Sequence, residues 1–163
     1  MILGVVSDTH NRIANIEKII DIFNEHKVGV VVHTGDITNA ETLRRFTRLN
    51  SSLIGVYGNN DREEKGLYEV ARDNNFFFKS PPLVKEIKGK RIAVFHEPDE
   101  IEEFINNNKK INLVLHGHTH RFRQEKFKGV LIFNPGECAG SLDGYNCVGL
   151  IDLKDLSIER IFF

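Results

Sequence analysis

Five short apolar runs in this 163-residue chain end in residues that can bind a metal or handle a phosphate. Ile2–Val6 leads into Ser7-Asp8-Thr9-His10, and Val28–Val32 into His33-Thr34-Gly35-Asp36. Leu53–Tyr57 leads into Gly58-Asn59-Asn60-Asp61, Arg91–Phe95 into His96, and Asn112–Leu115 into His116-Gly117-His118-Thr119-His120. Carboxylate and imidazole together suit Mn²⁺, Fe, Zn²⁺, Ni²⁺ or Co²⁺, and the absence of thiolates from the set argues against structural zinc. In extended backbone residues i and i+2 face one side, so Asp8 with His10, and His118 with His120, can each offer two donors to one centre. Asp8, His10, Asp36, Asn59, His96, His118 and His120 are too many for one metal. Seven donors with one bridging carboxylate suit two metals ~3.5–4 Å apart, the arrangement used for phosphoryl hydrolysis.

Such residues converge only if the runs are strands of α/β sheets, whose carboxyl ends are where ligand sites assemble. The runs are short and rich in Val and Ile, as buried strands are. Ile13, Ile16, Ile20 and Phe23 recur at three- and four-residue intervals and describe an amphipathic helix after the first strand. Leu43 and Phe46 repeat this after the second strand, and Leu67, Val70 and Ala71 after the third. The first half therefore reads as βαβ units with parallel pairing. Lys88-Gly89 and Lys128-Gly129 mark hairpin turns in the second half, Val130–Phe133 is a further strand, and Cys147–Leu153 with Ile158–Phe162 forms a third hairpin around Lys154-Asp155. Pro81-Pro82 marks a turn between elements.

Composition narrows the class. Lys and Arg number 22 against 23 Asp and Glu, a net charge of −1, so the chain does not attract nucleic acid by bulk charge. At 40% apolar residues it can build a core, which excludes a disordered acidic tail. Apolar runs of five or six residues are far short of the ~20 a spanning helix needs. The first residues lack the basic region and cleavage site of a signal peptide and read as a strand. Cys138 and Cys147 are expected as free buried thiols and the compartment as cytoplasmic.

The ordered set Asp8-Thr9-His10, Gly35-Asp36, Gly58-Asn59-Asn60-Asp61, His96 and Gly117-His118-Thr119-His120 resembles the signature of calcineurin-like metallophosphoesterases. The chain length and the Asn134-Pro135-Gly136 turn resemble the small single-domain phosphodiesterases of bacteria and archaea. The resemblance implies one α/β domain over residues 1–163, a four-layer α-β-β-α sandwich of two mixed β-sheets flanked by helices, with a dinuclear site at the strand ends. It implies one metal held by Asp8, His10, Asp36 and His120, and another by Asp36, Asn59, His96 and His118, with Asp36 bridging. Mn²⁺ is the first expectation, with Ni²⁺, Fe, Co²⁺ or Zn²⁺ as alternatives. The implied mechanism has a metal-bridging hydroxide attack phosphorus in line with the leaving oxygen, with Asp36, Asn59, His96 and Asn60 around the reacting phosphate. Two divalent ions give +4 and Asp8, Asp36 and a hydroxide give −3, leaving a pocket near +1 that attracts phosphate.

The chain departs from that pattern twice. Many relatives carry His directly after the motif Asn, where it protonates the leaving group; here Asn60 stands there, and an amide is no general acid at neutral pH. Related small phosphodiesterases often have Gly-His after the ligand corresponding to His96, whereas Glu97-Pro98-Asp99 follows here and can repel anions or bind a further cation. The reading is therefore a cytoplasmic phosphodiesterase acting on a small phosphodiester or nucleotide-like substrate, with self-association into a homodimer or larger homo-oligomer left open. One rival is a non-catalytic scaffold of the same fold, as the retromer subunit resembling this family illustrates; its ligand set is eroded, whereas this one is complete. The other is a phosphomonoesterase or nucleotide pyrophosphatase with the same centre.

Other groups read as supporting. Asp36 also reads as an N-cap for a helix over Thr38–Leu49. Asp61 either orients a ligand from behind or is a solvated turn carboxylate. His33 and His116 back or pack the ligands, and His26 lies on the surface at a helix end. Phe76-Phe77-Phe78 is core, or a patch for self-association. Cys138 is structural rather than nucleophilic.

Overall fold

A computed structural model of the chain describes residues 1–61, 65–142 and 144–163. The β-branched runs form strands β1 (Ile2–Val6), β2 (Val30–His33), β3 (Ser52–Val56) and β4 (Phe77–Lys79), separated by helices α1 (Ile13–Glu25), α2 (Ala40–Arg45) and α3 (Lys65–Asp73). These four strands pair in parallel. The chain then builds β5 (Leu83–Ile87), β6 (Lys90–Val94), α4 (Ile101–Asn107), β7 (Leu113–Leu115), β8 (Arg123–Phe127) and β9 (Val130–Asn134). Finally β10 (Cys147–Asp152) and β11 (Ser157–Phe162) return to the first sheet.

Two mixed sheets result, with strand orders β11-β10-β1-β2-β3-β4 and β5-β6-β7-β9-β8. Alternation along each strand divides the core into three layers. Ile16, Ile19, Ile20 and Phe23 of α1 and Leu43 of α2 pack with Val6 and Val31 on the outer face of the first sheet. Leu3, Val5, Val32, Leu113, Leu115 and Phe133 fill the space between the sheets. Ile101 and Ile105 of α4 cover Ala93, Val114 and Ile132 on the outer face of the second sheet. Three apolar layers bounded by helices, sheet, sheet and helix make the four-layer α-β-β-α sandwich expected from the sequence.

Both Lys-Gly hairpins carry positive φ at both central residues, +49° and +73° at Lys88-Gly89 and +49° and +84° at Lys128-Gly129. That is the primed turn whose twist matches the strands it joins. Two expectations change. Phe76-Phe77-Phe78 is not simply core: it leads into edge strand β4, with Phe76 just before the strand and Phe78 within it packed inward, and Phe77 half exposed under the Lys85 ammonium. Helix α2 is capped by Asn39, whose Oδ1 accepts from the Thr42 N–H, and not by Asp36. Asp36 has a left-handed backbone, φ +58°, and its carboxylate is engaged elsewhere.

Phe133 is fully buried between the sheets. Phe133→Ala is expected to lower unfolding free energy by about 3–5 kcal/mol in urea titrations, and a loss below about 1 kcal/mol would show that this layer does not hold the sheets together.

Candidate metal centre

Asp8 and His10 follow β1, Asp36 follows β2, Asn59 and Asn60 follow β3, His96 follows β6, and His118 and His120 follow β7. All seven expected donors meet at one end of the sandwich. His10 Nε2 is 3.9 Å from Asp36 Oδ2, His96 Nε2 is 3.4 Å from Asp36 Oδ1, and His120 Nε2 is 3.7 Å from Asp8 Oδ1. Asp36 thus turns one carboxylate oxygen toward each side. The rings pair likewise, His10 with His120 at 5.4 Å and His96 with His118 at 5.1 Å between centroids. Two donor triplets, Asp8–His10–His120 and Asp8–Asp36–His96, have ligand atoms within 4.8 Å of one another. Donors each about 2.1 Å from a shared ion are spaced in this way.

The backbone route differs from the one read in the sequence. Asp8, His10, His118 and His120 are not extended: their φ values are +50°, +44°, +67° and +55°. Asp8 and His10 meet in one triplet, whereas His118 turns to His96 and His120 to His10; left-handed kinks after β1 and β7 set these directions. Backbone bonds hold the kinks, Asp8 N–H to Gly35 O at 3.1 Å and His10 N–H to Asp36 O at 3.0 Å. The His118 N–H crosses between sheets to Asp8 Oδ2 at 3.0 Å. Gly117 permits this approach, since a Cβ there would lie 2.7 Å from Asp8 Oδ2 and collide with Ser7 Oγ.

Asp61 is a buried carboxylate serving the loop, not a solvated one. Its Oδ2 accepts from the N–H groups of Asp36 and Gly58, both at 2.8 Å, and its Oδ1 from those of Ile37 at 2.9 Å and Thr38 at 2.7 Å. One side chain therefore pins the Asp36 loop to the Asn59 loop. Asn60 completes the link, donating through Nδ2 to Asp36 Oδ2 at 2.7 Å and through its backbone N–H to Oδ1 at 3.0 Å.

The donor set fits a cation. His96 Nδ1 faces the Thr34 carbonyl at 2.9 Å and must donate to it, so the tautomer that suits a metal ligand carries its lone pair on Nε2. That lone pair faces Asn59 Oδ1 at 2.8 Å. Two acceptors at that separation are compatible when they share a positive charge. Asp8 carries the same demand: burial pushes its carboxyl above the ordinary range, and the bond from Ser7 and the nearby His96 and His120 offset only part of this. Among the described residues, the ion pairs of Asp8 and Asp36 are all with histidines.

The supporting histidines lie behind the donors. Burial lowers His33 to about 3 and His116 to about 4, so both are neutral near pH 7. His33 Nδ1 accepts from the Gly35 N–H at 3.1 Å and its Nε2 bonds Thr9 Oγ1 at 3.0 Å, fixing both ligand loops. Burial pushes the Cys138 thiol up to about 12, and it donates to the Cys147 carbonyl, a structural role. His26 is exposed at the end of α1. Glu97 and Asp99 line a cavity of about 290 Å³ that opens beside His96, so their segment does border the site. Glu137, to which the sequence assigns no role, has its Oε2 2.7 Å from His120 Nδ1. Burial alone would raise its carboxyl, but the Ser141 N–H and the His120 ring outweigh burial and hold it below the usual range.

The fold and the centre together define a phosphoesterase. The chain matches the calcineurin-like phosphoesterase superfamily domain over residues 1–156 and belongs to that family. It is 35% identical to phosphodiesterase MJ0936 of Methanocaldococcus jannaschii across 99% of this chain and 98% of that protein. A solved archaeal phosphodiesterase superposes with a TM-score of 0.91 at 32% identity over 100% of both chains. The E. coli phosphoesterase YfcE shares the fold, with a TM-score of 0.70 and 19% identity over 99% of this chain and 98% of that one. So does Vps29 of Entamoeba histolytica solved with Zn²⁺, at 0.70 and 18% over 99% of both chains. Membership of this family implies divalent metal ions.

Asp61→Asn tests the loop anchor. Its amide would present N–H groups to two of the four backbone donors, so we expect a loss of about 2–5 kcal/mol in urea unfolding of the metal-free protein. Stability within about 0.5 kcal/mol of wild type would show that Asp61 does not hold the loops.

Proposed function

We propose that this chain, as a single domain over residues 1–163, is a phosphodiesterase with two divalent transition-metal ions. Mn²⁺ is the first candidate, ahead of Ni²⁺, Fe, Co²⁺ and Zn²⁺. The convergence of seven donors on one end of the sandwich carries this reading, and the relation to an archaeal phosphodiesterase supports the diester. Asp8, His10, Asp36 and His120 would hold one ion, and Asp36, Asn59, His96 and His118 the other. When bound, the pair supplies the positive charge that takes up a phosphate anion and acidifies water for attack on phosphorus.

The chain's own groups set the rest. Asp36 spans the two positions because Asn60 grips both its oxygens and Asp61 fixes its N–H. Asn59 and His118 are exposed and form the mouth where a small ester enters. Asn60 carries no ionisable proton and its amide is committed to Asp36, so the leaving oxygen takes its proton from solvent. Esters with acidic leaving groups are then the better substrates. The carboxylates of Glu97 and Asp99 beside the cavity disfavour highly charged monoesters, which also inclines the site toward diesters.

Purified protein should take up two transition-metal ions and hydrolyse a nitrophenyl phosphodiester faster than the monoester across Mn²⁺, Ni²⁺, Mg²⁺ and Zn²⁺. No turnover with any of them would overturn the reading, and faster monoester hydrolysis would favour a phosphomonoesterase. Asp36→Asn should bring hydrolysis down to background because the shared carboxylate is lost; unchanged turnover would refute the site. Asn60→His should raise kcat on esters with poor leaving groups by up to about 10²-fold, and an unchanged leaving-group dependence would dismiss the missing acid as the limit.

A further inference from the structure

Glu137 follows the Asn134-Pro135-Gly136 turn at the end of β9 and is 4% exposed. Both of its oxygens are in use. Oε2 meets His120 Nδ1 at 2.7 Å, and Oε1 accepts from the Ser141 N–H at 2.9 Å. An ionised carboxylate only accepts, so the proton of the neutral ring lies on Nδ1 and Nε2 is left as a lone pair. That lone pair belongs to the Asp8–His10–His120 triplet, 3.7 Å from Asp8 Oδ1. His120 is about one-third exposed, and without a partner on Nδ1 its ring would be free to turn or change tautomer. His96 solves the same problem with the Thr34 carbonyl.

We propose that Glu137 is a positioning residue that holds His120 in its Nδ1–H tautomer, aims Nε2 into the metal position shared with Asp8 and His10, and ties the Ser141 segment to that ring. The metal half of this rests on the reading of His120 as a ligand. Glutamine has the shape of Glu137 but one acceptor, while two donors point at it. If its amide oxygen keeps Ser141, its NH₂ faces His120 and selects the Nε2–H tautomer, which has no lone pair for a metal. A carboxylate behind a metal-binding histidine typically contributes 10- to 100-fold in metal affinity.

The test compares wild type with Glu137→Gln, Glu137→Ala and Glu137→Asp in the full chain. ¹⁵N-histidine spectra of the metal-free protein at alkaline pH report the tautomer, and Mn²⁺ and Zn²⁺ titrations report affinity. Wild type should show His120 protonated at Nδ1 with an unprotonated Nε2. Glu137→Gln and Glu137→Ala should lose this signature and weaken one of two metal equivalents about 10- to 100-fold, with Glu137→Asp recovering part. The same tautomer in Glu137→Gln and Glu137→Ala, or equal weakening of both equivalents, would overturn the proposal. A wild type that binds no metal would fell the functional reading and the metal half with it. The metal-free spectra would still decide whether Glu137 sets the ring.

Discussion

Asp8 and Asp36 are buried at the adjoining ends of β1 and β2, and among the described residues histidines are their ionic partners. An uncompensated carboxylate in that position costs several kcal/mol, and burial raises the Asp8 carboxyl despite its histidine neighbours. The rest of the end of the sandwich follows from this constraint. Four rings and one amide oxygen turn their donor atoms inward, and the loops that carry them are bonded to each other as well as to their own strands. A net charge of −1 is therefore no obstacle to a phosphate site. Family membership implies divalent metal ions, and these rather than lysine or arginine would supply its positive charge.

The same constraint explains where the backbone is strained. Asp8, His10, Asp36, His118 and His120, five of the seven donors, have φ between +44° and +67°. A non-glycine residue in that region costs on the order of 1 kcal/mol or more. An extended strand end would carry its side chains away across the pleat, whereas the kink swings them over the strand terminus, where donors of neighbouring strands arrive. Polar groups hold the kinks of the first sheet: Asp61 collects four backbone N–H groups around Asp36, and His33 clamps Gly35 and Thr9. The rigidity that sets the donors apart by 3–4 Å thus comes from buried hydrogen bonds behind them.

Much of this was legible in the sequence because apolar runs of Val and Ile end abruptly in Asp, Asn or His. The parallel half, both Lys-Gly hairpins and the seven donors all follow from that punctuation. Of the pairs expected from i and i+2 spacing, Asp8 and His10 do share a triplet, while His118 and His120 turn to different partners, His96 and His10, since spacing does not reveal the sign of φ. Helix α4 is legible only at its end, where Asn106–Lys110 reads as a solvated helix end, because Ile101, Phe104 and Ile105 make only one turn of apolar spacing. For Asp61 the sequence left a supporting role and a solvated turn equally open, because its four donors come from backbone and leave no trace in residue identity. Glu137 was within reach: it stands just past the end of Val130–Asn134, where the rule that found the other donors also applies. With Asp61 it makes two further buried carboxylates beside Asp8 and Asp36.

The donors are drawn from both sheets, and that distribution couples the site to the fold. Asp8, His10, Asp36 and Asn59 come from the first sheet, and His96, His118 and His120 from the second. Between the sheets the core is apolar, and apolar packing alone tolerates small slippage of one layer over the other. The polar end does not: the His118 N–H to Asp8 and the His96 ring to the Thr34 carbonyl each cross the gap at hydrogen-bond distance. An ion bound by donors of both sheets binds only the docked arrangement, so its binding free energy adds to the stability of that arrangement. The apolar layer brings the sheets together, and the hydrogen bonds at the polar end fix how they register. Site and sandwich are in this sense one cooperative unit, and the polar groups behind the ligands belong to the folding problem as much as to the chemistry.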